Sequence, residues 1–463
     1  MGKINKINVK LPARASIWYL GASAIAKAIG FLVTPFFTRM ISGQAYGELT
    51  VYLTLVGIGS ICCSAITGGN AIYMGIRQSK EDEGSFLRSA LLVSVLSSLA
   101  FCTVLFAFSS FWAVKRQLMI PLVIQILCDG IIAVFTARQK FFYRYKEIAL
   151  MMTASSVLPA VLTLALLKIV NGKFSVRIYS LLAISLGLAI YSLVKILGKQ
   201  GRVKRRLCIL HLKTALPLIP HSTSTAISSQ GDKLIITHFL GTVALAKYAV
   251  IHSLGIGLQF AVGAVGFALG PWIIRRLDNK DFTEVSYLSG FLLTAFSALS
   301  LVLVALAPEA MRILAPKEYF DAYPALLPIA LSTPLMLLNS IITICLIHFG
   351  KGGKTALSSV IGALSGIILN FTFISKLSYL GAGLSLFLSH LIDSAVGLYL
   401  LLRVMPKKII GATDLLKNLL LTSFLGVMLL FLFNSLALRV LLLTVPAIML
   451  LNVFYNLKRL IIE

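Results

Sequence analysis

Long apolar runs separated by short polar segments occupy almost the whole chain. An α-helix needs about 20 apolar residues to cross the hydrocarbon core of a bilayer. The pattern predicts an all-α integral membrane protein with about fourteen, and at least twelve, transmembrane helices. The approximate cores of the fourteen predicted spans are 15–38, 49–72, 87–112, 118–137, 148–167, 175–197, 212–240, 244–274, 285–307, 324–349, 354–375, 380–402, 415–434 and 437–457.

The composition agrees with this pattern. Apolar residues make up 58% of the 463 positions, charged residues make up 13%, and the mean hydropathy is +0.93, whereas soluble domains carry about 25% charged residues. The 42 Lys and Arg residues exceed the 16 Asp and Glu residues, which gives a net charge of +26. Because the basic residues lie in short gaps between apolar runs, they are typical of topology signals and of contact with anionic lipid, and nucleic acid is not an expected partner.

The distribution of basic residues predicts the orientation of the chain. With the N-terminus in the cytoplasm, 28 Lys and Arg residues fall in cytoplasmic segments, 10 in outer loops and 4 within spans. This bias follows the positive-inside rule and places both termini in the cytoplasm. The opening segment MGKINKINVKLPAR precedes an apolar run of about 24 residues, which is longer than a signal-peptide core, so we expect an uncleaved first span.

The densest basic stretch, GKQGRVKRR at 198–206, divides the chain into two halves that resemble each other. Residues 36–59 and 237–257 share a short turn, a tyrosine followed by a small residue, and an apolar helix that ends in Gly-Ile-Gly, with Tyr46 corresponding to Tyr248. Parallel repeats of this kind are a recurring plan of secondary transporters with a central site. The predicted division is a six-helix bundle at 1–197, a basic cytoplasmic linker at 198–210, a second six-helix bundle at 211–403 and two further helices at 404–463.

Lys27 lies in the middle of the first predicted span, with no acidic residue near it in the sequence. A charge at the centre of a spanning helix costs about 2.5 kcal/mol or more, so such a residue indicates function by default. Ser23 and Thr34 lie on the same helical face. Lys27 is about ten residues from either end of the span, about 15 Å of helical rise, which is too far for its side chain to snorkel to the interface.

The segment HSTSTAISSQGDK at 221–233 contains two apolar residues in thirteen and lies within the seventh predicted span. A segment this polar is tolerated at membrane depth beside protein or a water-filled cavity. Pro217 and Pro220 indicate a kinked or broken helix at its start. We expect Ser229, Gln230, Asp232 and Lys233 to line a cavity; the alternative is that the segment forms an outer loop.

Two carboxylates, Asp129 and Asp393, also fall within predicted spans. A buried carboxylate must pair, bind a cation or carry a proton, so both are candidates, with Asp232, for coupling to H⁺ or Na⁺; a structural pairing role is the alternative. Ser, Thr and Asn within spans more often bond neighbouring helices than ligands. The further residues predicted to line the cavity are His252, Gln259, Asn339 and Asn370.

Motifs of enzymes are absent from the sequence. There is no phosphate-binding GxxxxGKT loop and no HExxH zinc motif, so no catalytic residues, metal ligands or cofactors are predicted. The six cysteines lie within apolar segments or at their edges without metal-ligand spacing, which indicates a packing role. The sequence therefore favours a transporter that draws any energy it uses from an ion gradient.

Two segments carry a resemblance to a known family. The residues from Lys27 and Gly30 through FFTRMISGQAYGELTVYLTLVGIGSICCSAITGGNAIYM, and the duplicated GDKLIITHFLGTVALAKYAV, are similar to the polysaccharide flippases of the multidrug/oligosaccharidyl-lipid/polysaccharide exporter superfamily. The resemblance covers both half-starts and the number of spans. It implies two six-helix bundles that form a V around a central cavity, with the last two helices peripheral.

The resemblance also implies a substrate and a location. The substrate would be an undecaprenyl-diphosphate-linked oligosaccharide repeat unit of O-antigen or capsule type, flipped to the outer leaflet of the bacterial inner membrane. Lys27 and Lys233 would hold the diphosphate, and glycosyltransferases or a polymerase would be partners. Two alternatives stay open at this point: a cation-coupled exporter of drugs or metabolites from the same superfamily, and a non-transporting scaffold that recruits glycosyltransferases through residues 198–206.

Overall fold

A computed structural model describes residues 10–67, 70–78, 82–107, 116–169, 174–216, 219–404, 412–432 and 435–451, and within these ranges the regular structure is entirely helical. The chain forms two compact units, Met1–Ala226 and Ile227–Glu463. The boundary between them falls inside a helix and after the basic segment at 198–206, so residues 211–226 belong to the first unit by their contacts.

The first unit is built from apolar helices that pack side by side. The closest packing joins α1 to α6 and joins α5 to both α4 and α7. Its described helices are α1 (Lys10–Met40), α2 (Gly43–Thr67), α3 (Asn70–Gln78), α4 (Glu83–Ala107), α5 (Met119–Phe141), α6 (Tyr145–Ile169), α7 (Ser175–Leu197) and α8 (Arg205–Ala215), with a short 3₁₀ turn at Arg116–Leu118.

The end of the first unit that carries residues 82–89 and the basic segment has an apolar core and a shell of ion pairs. Phe86, Val134 and Phe135 are completely or almost completely buried in that core. Above it, Glu83 at the start of α4 accepts from the Arg138 guanidinium at 2.7 Å and from the Lys199 ammonium at 2.5 Å. One carboxylate therefore ties α4 to α5 and to the basic segment.

The basic segment is packed against α4 rather than extended into solvent. The backbone N–H of Arg202 donates to the Ser85 hydroxyl at 2.9 Å, and that of Lys204 donates to the Ser89 hydroxyl at 3.1 Å. The Lys204 ammonium pairs with Asp82 and holds the pKa of that carboxyl below its usual range. The close approach requires Gly84, because a Cβ there would lie 1.8 Å from the carbonyl oxygen of Gln200.

The second unit contains two long helical segments that each reverse direction. α9 (Ile219–Asp278) is interrupted at Gly241, and α12 (Gly352–Leu402) is interrupted at Ser378; both residues have positive φ. The remaining described helices are α10 (Phe282–Leu314), α11 (Leu326–His348), α13 (Ala412–Phe431) and α14 (Leu436–Leu442), with a 3₁₀ segment at Lys317–Ala325 and a further helical stretch at 444–451.

Contacts across each interruption prove the reversal. The hydroxyl of Tyr248 lies 2.6 Å from the carboxylate of Asp232, although residues sixteen apart would be about 24 Å apart along a straight helix. In α12 a Cβ at Gly362 would lie 2.7 Å from the Cβ of Asp393, on the other side of Ser378. Each long segment is therefore a pair of antiparallel helices, divided where the sequence predicted a break between spans seven and eight and between eleven and twelve.

Helix α11 is the centre of the second unit. It packs most closely on α12 and α10, and Leu337, Leu338 and Cys345 are completely buried in the core that these helices share with α9. At the other edge, Arg439 of α14 is 2% exposed and forms a bidentate pair with Glu309 of α10, with distances of 2.6 and 2.7 Å. This pair holds α14 against the unit.

Among the described residues, ten helical segments are long and apolar enough to span a membrane. Two of these ten segments are the paired helices within α9 and within α12. This shows a multi-pass, all-α membrane protein. The seventh predicted span was placed too early: residues 212–215 belong to α8, and the helix that continues to Gly241 begins at Ile219. The outer-loop alternative for 221–233 is wrong, because the segment is helical. The total of fourteen spans and the V arrangement stay predictions.

The tight contact at Gly84 predicts a stability difference between two glycine substitutions. Gly84→Ala places a methyl group against the backbone of the basic segment, and we expect the thermal midpoint of the detergent-solubilised protein to fall by about 3 °C or more. Gly187→Ala is the matched control, since nothing lies within 4 Å of a Cβ at Gly187. An equal midpoint for the two variants would contradict the packed arrangement of the basic segment.

Candidate functional site

Asp232 is the carboxylate of the polar segment of α9, and it is buried, with 4% of its surface exposed. Tyr248 donates its hydroxyl to one carboxylate oxygen at 2.6 Å, and the backbone N–H of Lys233 donates to the other at 2.8 Å. Tyr248 is itself completely buried. The reversal at Gly241 therefore brings together a carboxylate and a phenol that the sequence separates by sixteen positions.

A small cavity opens beside Asp232. The centre of a water molecule can occupy about 20 Å³ within it, which is enough for one water or one small cation. Its walls come from the first half of α9 and from both halves of α12. The residues that line it are Ser228, Gly231, Asp232, Ile235, Ala363, Gly366, Ile367, Asn370, Leu386 and Ser389.

The polar atoms at this cavity are oxygen donors. Asn370 is 8% exposed, and its amide oxygen has no hydrogen-bond partner among the residues that the structure describes. Carboxylate, amide and hydroxyl oxygens are the ligands that hard cations prefer, and a carboxylate can alternatively take a proton. Within the described residues, no group of three or more His, Cys, Asp or Glu side chains could hold a metal ion.

The Lys233 ammonium is bonded to a neighbouring side chain of α9. Its ammonium donates to the side-chain oxygen of Gln230 at 2.7 Å, and the residue is partly buried. Ser229, next to this pair, is exposed. Gln230, Asp232 and Lys233 thus lie within one turn of α9, and of these three Asp232 lines the small cavity.

Asp393 takes part in a separate network between α11 and α12. Asn339 donates its amide to Asp393 at 3.1 Å and accepts from the Ser394 hydroxyl at 2.8 Å. This network joins two helices, and Asp393 and Asn339 do not line the cavity beside Asp232. His252 is buried, with its ring 5.7 Å from that of Tyr248, whereas Gln259 is partly buried further along α9.

Asp129 is the corresponding intramembrane carboxylate of the first unit. The Ser60 hydroxyl donates to it at 2.5 Å, and the Gln125 amide donates to it at 3.0 Å. The same amide nitrogen lies 2.8 Å from the Ser185 hydroxyl. These contacts connect α2, α5 and α7, so Asp129 has structural partners inside its own unit.

Lys27 differs from these groups because it is exposed at the middle of α1. It follows Trp18 by nine residues and precedes Met40 by thirteen in the candidate span Trp18–Met40, about 14 and 20 Å of helical rise. No described residue forms a hydrogen bond or an ion pair with its ammonium. Ser23 is partly buried, and Thr34 is buried with its hydroxyl donating to the carbonyl of Gly30 at 3.0 Å.

Several members of these groups are not among the residues predicted from sequence. Tyr248 corresponds to Tyr46 in the repeat of the two halves. That correspondence indicates a shared packing position and does not indicate the contact with Asp232. Gln125 and Asp129 are four residues apart, a helical spacing that could have indicated their bond. Ser228 and Ser389 carry no distinguishing signal, because serine is common in membrane helices; the cavity lining identifies them.

The chain is similar to known membrane transporters and to a polysaccharide biosynthesis family. Residues 13–277 match the profile of the family described as polysaccharide biosynthesis protein. An Lsg locus protein of Haemophilus influenzae is 24% identical over 392 residues, covering 79% of this chain and 93% of that protein.

Among solved structures, the lipid II flippase MurJ in an inward closed conformation has a TM-score of 0.75 at 14% identity, over 96% of this chain and 99% of that chain. An inward-facing multidrug resistance transporter of the MATE family has a TM-score of 0.65 at 12% identity, over 84% of this chain and 98% of that chain. At these identities the likeness shows the fold. Together with the match of residues 13–277, it confirms the resemblance drawn from the sequence: this chain belongs to the polysaccharide biosynthesis protein family and has the fold of the transporters of the MOP superfamily.

Proposed function

We propose that this protein is a flippase for lipid-linked oligosaccharides. Its substrate is an undecaprenyl-diphosphate-linked repeat unit of O-antigen, capsule or a similar polysaccharide, which it moves from the cytoplasmic to the outer leaflet of a bacterial inner membrane. The transport proceeds by alternating access and is coupled to an H⁺ or Na⁺ gradient. Glycosyltransferases or a polymerase that act on the same glycan are the partners in this proposal.

The exposed ammonium of Lys27 is the observation that carries the proposal. Four lysines fall within predicted spans, and three of them have another explanation in the structure. Lys213 lies on α8, Lys233 bonds Gln230 and Lys247 pairs with Asp321 at 2.6 Å. An exposed charge at the depth of Lys27 is costly against lipid tails, so we place it against water or an anionic ligand.

A diphosphate suits this ammonium physically. The diphosphate headgroup must cross about 30 Å of hydrocarbon. A cation within hydrogen-bonding distance reduces the free-energy cost of removing the diphosphate from bulk water. A lysine holds such a group as a point charge on a flexible stem, which permits the substrate to be released after the protein changes conformation.

The cavity beside Asp232 supports the coupling part of the proposal. A cation or a proton bound by the Asp232 carboxylate would change the charge of α9 at the reversal, next to Lys233. Lys233 stays a candidate for binding the diphosphate in this proposal, although its ammonium already donates to Gln230. Asp129 and Asp393 remain candidates for a proton, although each already has hydrogen-bonding partners that fit a structural role.

Export of cationic drugs or metabolites is the second candidate function. The MATE-family likeness and the three intramembrane carboxylates favour it. An exposed lysine on α1 opposes it, since a cationic substrate would be repelled by that charge. The two functions predict opposite effects of Lys27, which makes the residue the decisive position.

Replacing Lys27 tests the diphosphate contact. We expect Lys27→Ala to reduce surface polysaccharide by about tenfold or more, because a charge-assisted hydrogen bond contributes about 1.5–3 kcal/mol, while Lys27→Arg retains part of the export. The measurement is complementation of a deletion strain, with extraction of the lipid-linked oligosaccharides that accumulate on the inner leaflet.

Lys351→Ala is the matched control for this experiment, since Lys351 is an exposed lysine at the start of α12. Both variants must reach the membrane in equal amount. Full polysaccharide export by Lys27→Ala would contradict the diphosphate role. Unchanged polysaccharide in the deletion strain itself, together with sensitivity to cationic drugs, would support the second candidate.

Replacing Asp232 tests the ion-coupling part. We expect the thermal midpoint of the purified wild type to rise when sodium chloride replaces choline chloride, or to change when pH is varied, and we expect Asp232→Asn to lose that response. The response that is lost identifies the coupling ion. Tyr248→Phe should weaken it, because the phenol no longer orients the carboxylate.

Asp278→Asn controls for the loss of a carboxylate, since Asp278 is exposed at the end of α9. Two results would refute ion coupling at this cavity: a wild type whose thermal midpoint responds to neither sodium nor pH, or an Asp232→Asn variant that responds as the wild type does. The flippase proposal would then be tested by the Lys27 experiment alone.

A further inference from the structure

Helix α8 has one face held by the first unit and one face open. On the held face, His211 and Ala215 have no exposed surface, and the His211 ring meets the edge of Phe86 at a centroid distance of 5.8 Å. The Cys208 thiol lies 3.8 Å from the carbonyl of Ser89. These contacts fix the orientation of α8 against the first turns of α4.

The open face of α8 carries an apolar stripe. Ile209, Leu212 and Leu216 follow each other at steps of three and four residues, which places them on one side of the helix. Their exposed fractions are 43%, 37% and 56%. Exposed apolar side chains grouped on one helical face indicate a contact surface rather than isolated surface residues.

Basic residues flank this stripe. Arg205, Arg206 and Lys213 are all exposed, and α8 contains no acidic residue. No ion pair is found for these three side chains within the described part of the chain. By contrast, the Lys199 and Lys204 ammonium groups of the preceding segment are already paired with Glu83 and Asp82. Among the basic residues at 199–213, which the structure describes, Arg202, Arg205, Arg206 and Lys213 are exposed without such a pair, and three of these four lie on α8.

The position of α8 relative to the bilayer follows from α4. The candidate span of α4 begins at Glu83, and α8 packs against Phe86 and Ser89, which belong to the first two turns of that span. The helix thus lies at the depth where the hydrocarbon meets the headgroups. A helix with an apolar stripe and a basic flank at this depth is typical of interfacial helices that bind anionic lipid.

We infer that the open face of α8 is a binding site for anionic phospholipid of the cytoplasmic leaflet. Ile209, Leu212 and Leu216 enter the acyl boundary, and Arg205, Arg206 and Lys213 bind the headgroup phosphates. This site is separate from the proposed substrate and ion sites and needs neither of them. Lipid bound there holds the packed basic segment and α4 in place from outside the protein.

The test measures how much anionic lipid stabilises the full-length protein. Phosphatidylglycerol is added to the detergent-solubilised protein, and the rise in thermal midpoint is compared with that from phosphatidylcholine. We expect a larger rise with phosphatidylglycerol, and we expect the triple variant Arg205→Gln, Arg206→Gln, Lys213→Gln to lose at least half of that difference. High salt should reduce the difference in the wild type.

The matched control removes the same charge elsewhere. Lys280, Lys351 and Arg403 are exposed basic residues at helix ends of the second unit, and their triple replacement by Gln should leave the phosphatidylglycerol effect unchanged. A charge-conserving triple variant, Arg205→Lys, Arg206→Lys, Lys213→Arg, should retain the effect and shows whether the Gln variant has merely unfolded. Inorganic phosphate should give no rise.

Three results would overturn the inference. One is an equal response of wild type and the α8 Gln variant to phosphatidylglycerol. Another is an equal loss in the control variant, which would show a general effect of net charge. The last is a rise with inorganic phosphate as large as with the lipid, which would show a free-anion site.

Discussion

A charged or polar group at the depth of the hydrocarbon needs a partner, and the internal organisation of both units follows from this constraint. Asp129 of α5 accepts from Ser60 of α2 and from Gln125 of its own helix, and Asp393 of α12 accepts from Asn339 of α11. Because a partner comes from another helix in both cases, the constraint also fixes which helices pack together. Polar residues within the spans therefore help to determine the packing of each unit.

Asp232 satisfies the same constraint in a different way. Its partner, Tyr248, comes from the same segment of chain, folded back at Gly241, and the other side of the carboxylate opens to a small cavity. A carboxylate that borders a cavity can exchange water, a cation or a proton with it, whereas Asp129 and Asp393, which are both partly exposed, do not line this cavity. This difference separates Asp232 from Asp129 and Asp393, which the sequence presents as equivalent.

The basic residues also fall into two groups that differ in physical role. Arg138, Lys199 and Lys204 form ion pairs with Glu83 and Asp82 that hold the basic segment on α4, so part of the charge serves packing. Exposed ion pairs contribute little individually, but here they act with backbone hydrogen bonds to Ser85 and Ser89. The residues of α8 remain exposed. Some of the basic residues that give the positive-inside pattern therefore also hold the basic segment against α4.

The periodicity and composition of the sequence by themselves determined the membrane class, the helical fold and the approximate spans, because crossing a bilayer imposes a length and a polarity that are visible along the chain. They also determined that Lys27 and residues 221–233 are exceptional. Tertiary structure alone decided which polar residues meet. The reversals at Gly241 and Ser378 bring Asp232 to Tyr248 and align it with Asn370 and Ser389, and such contacts depend on how helices pack, a property that no local pattern encodes.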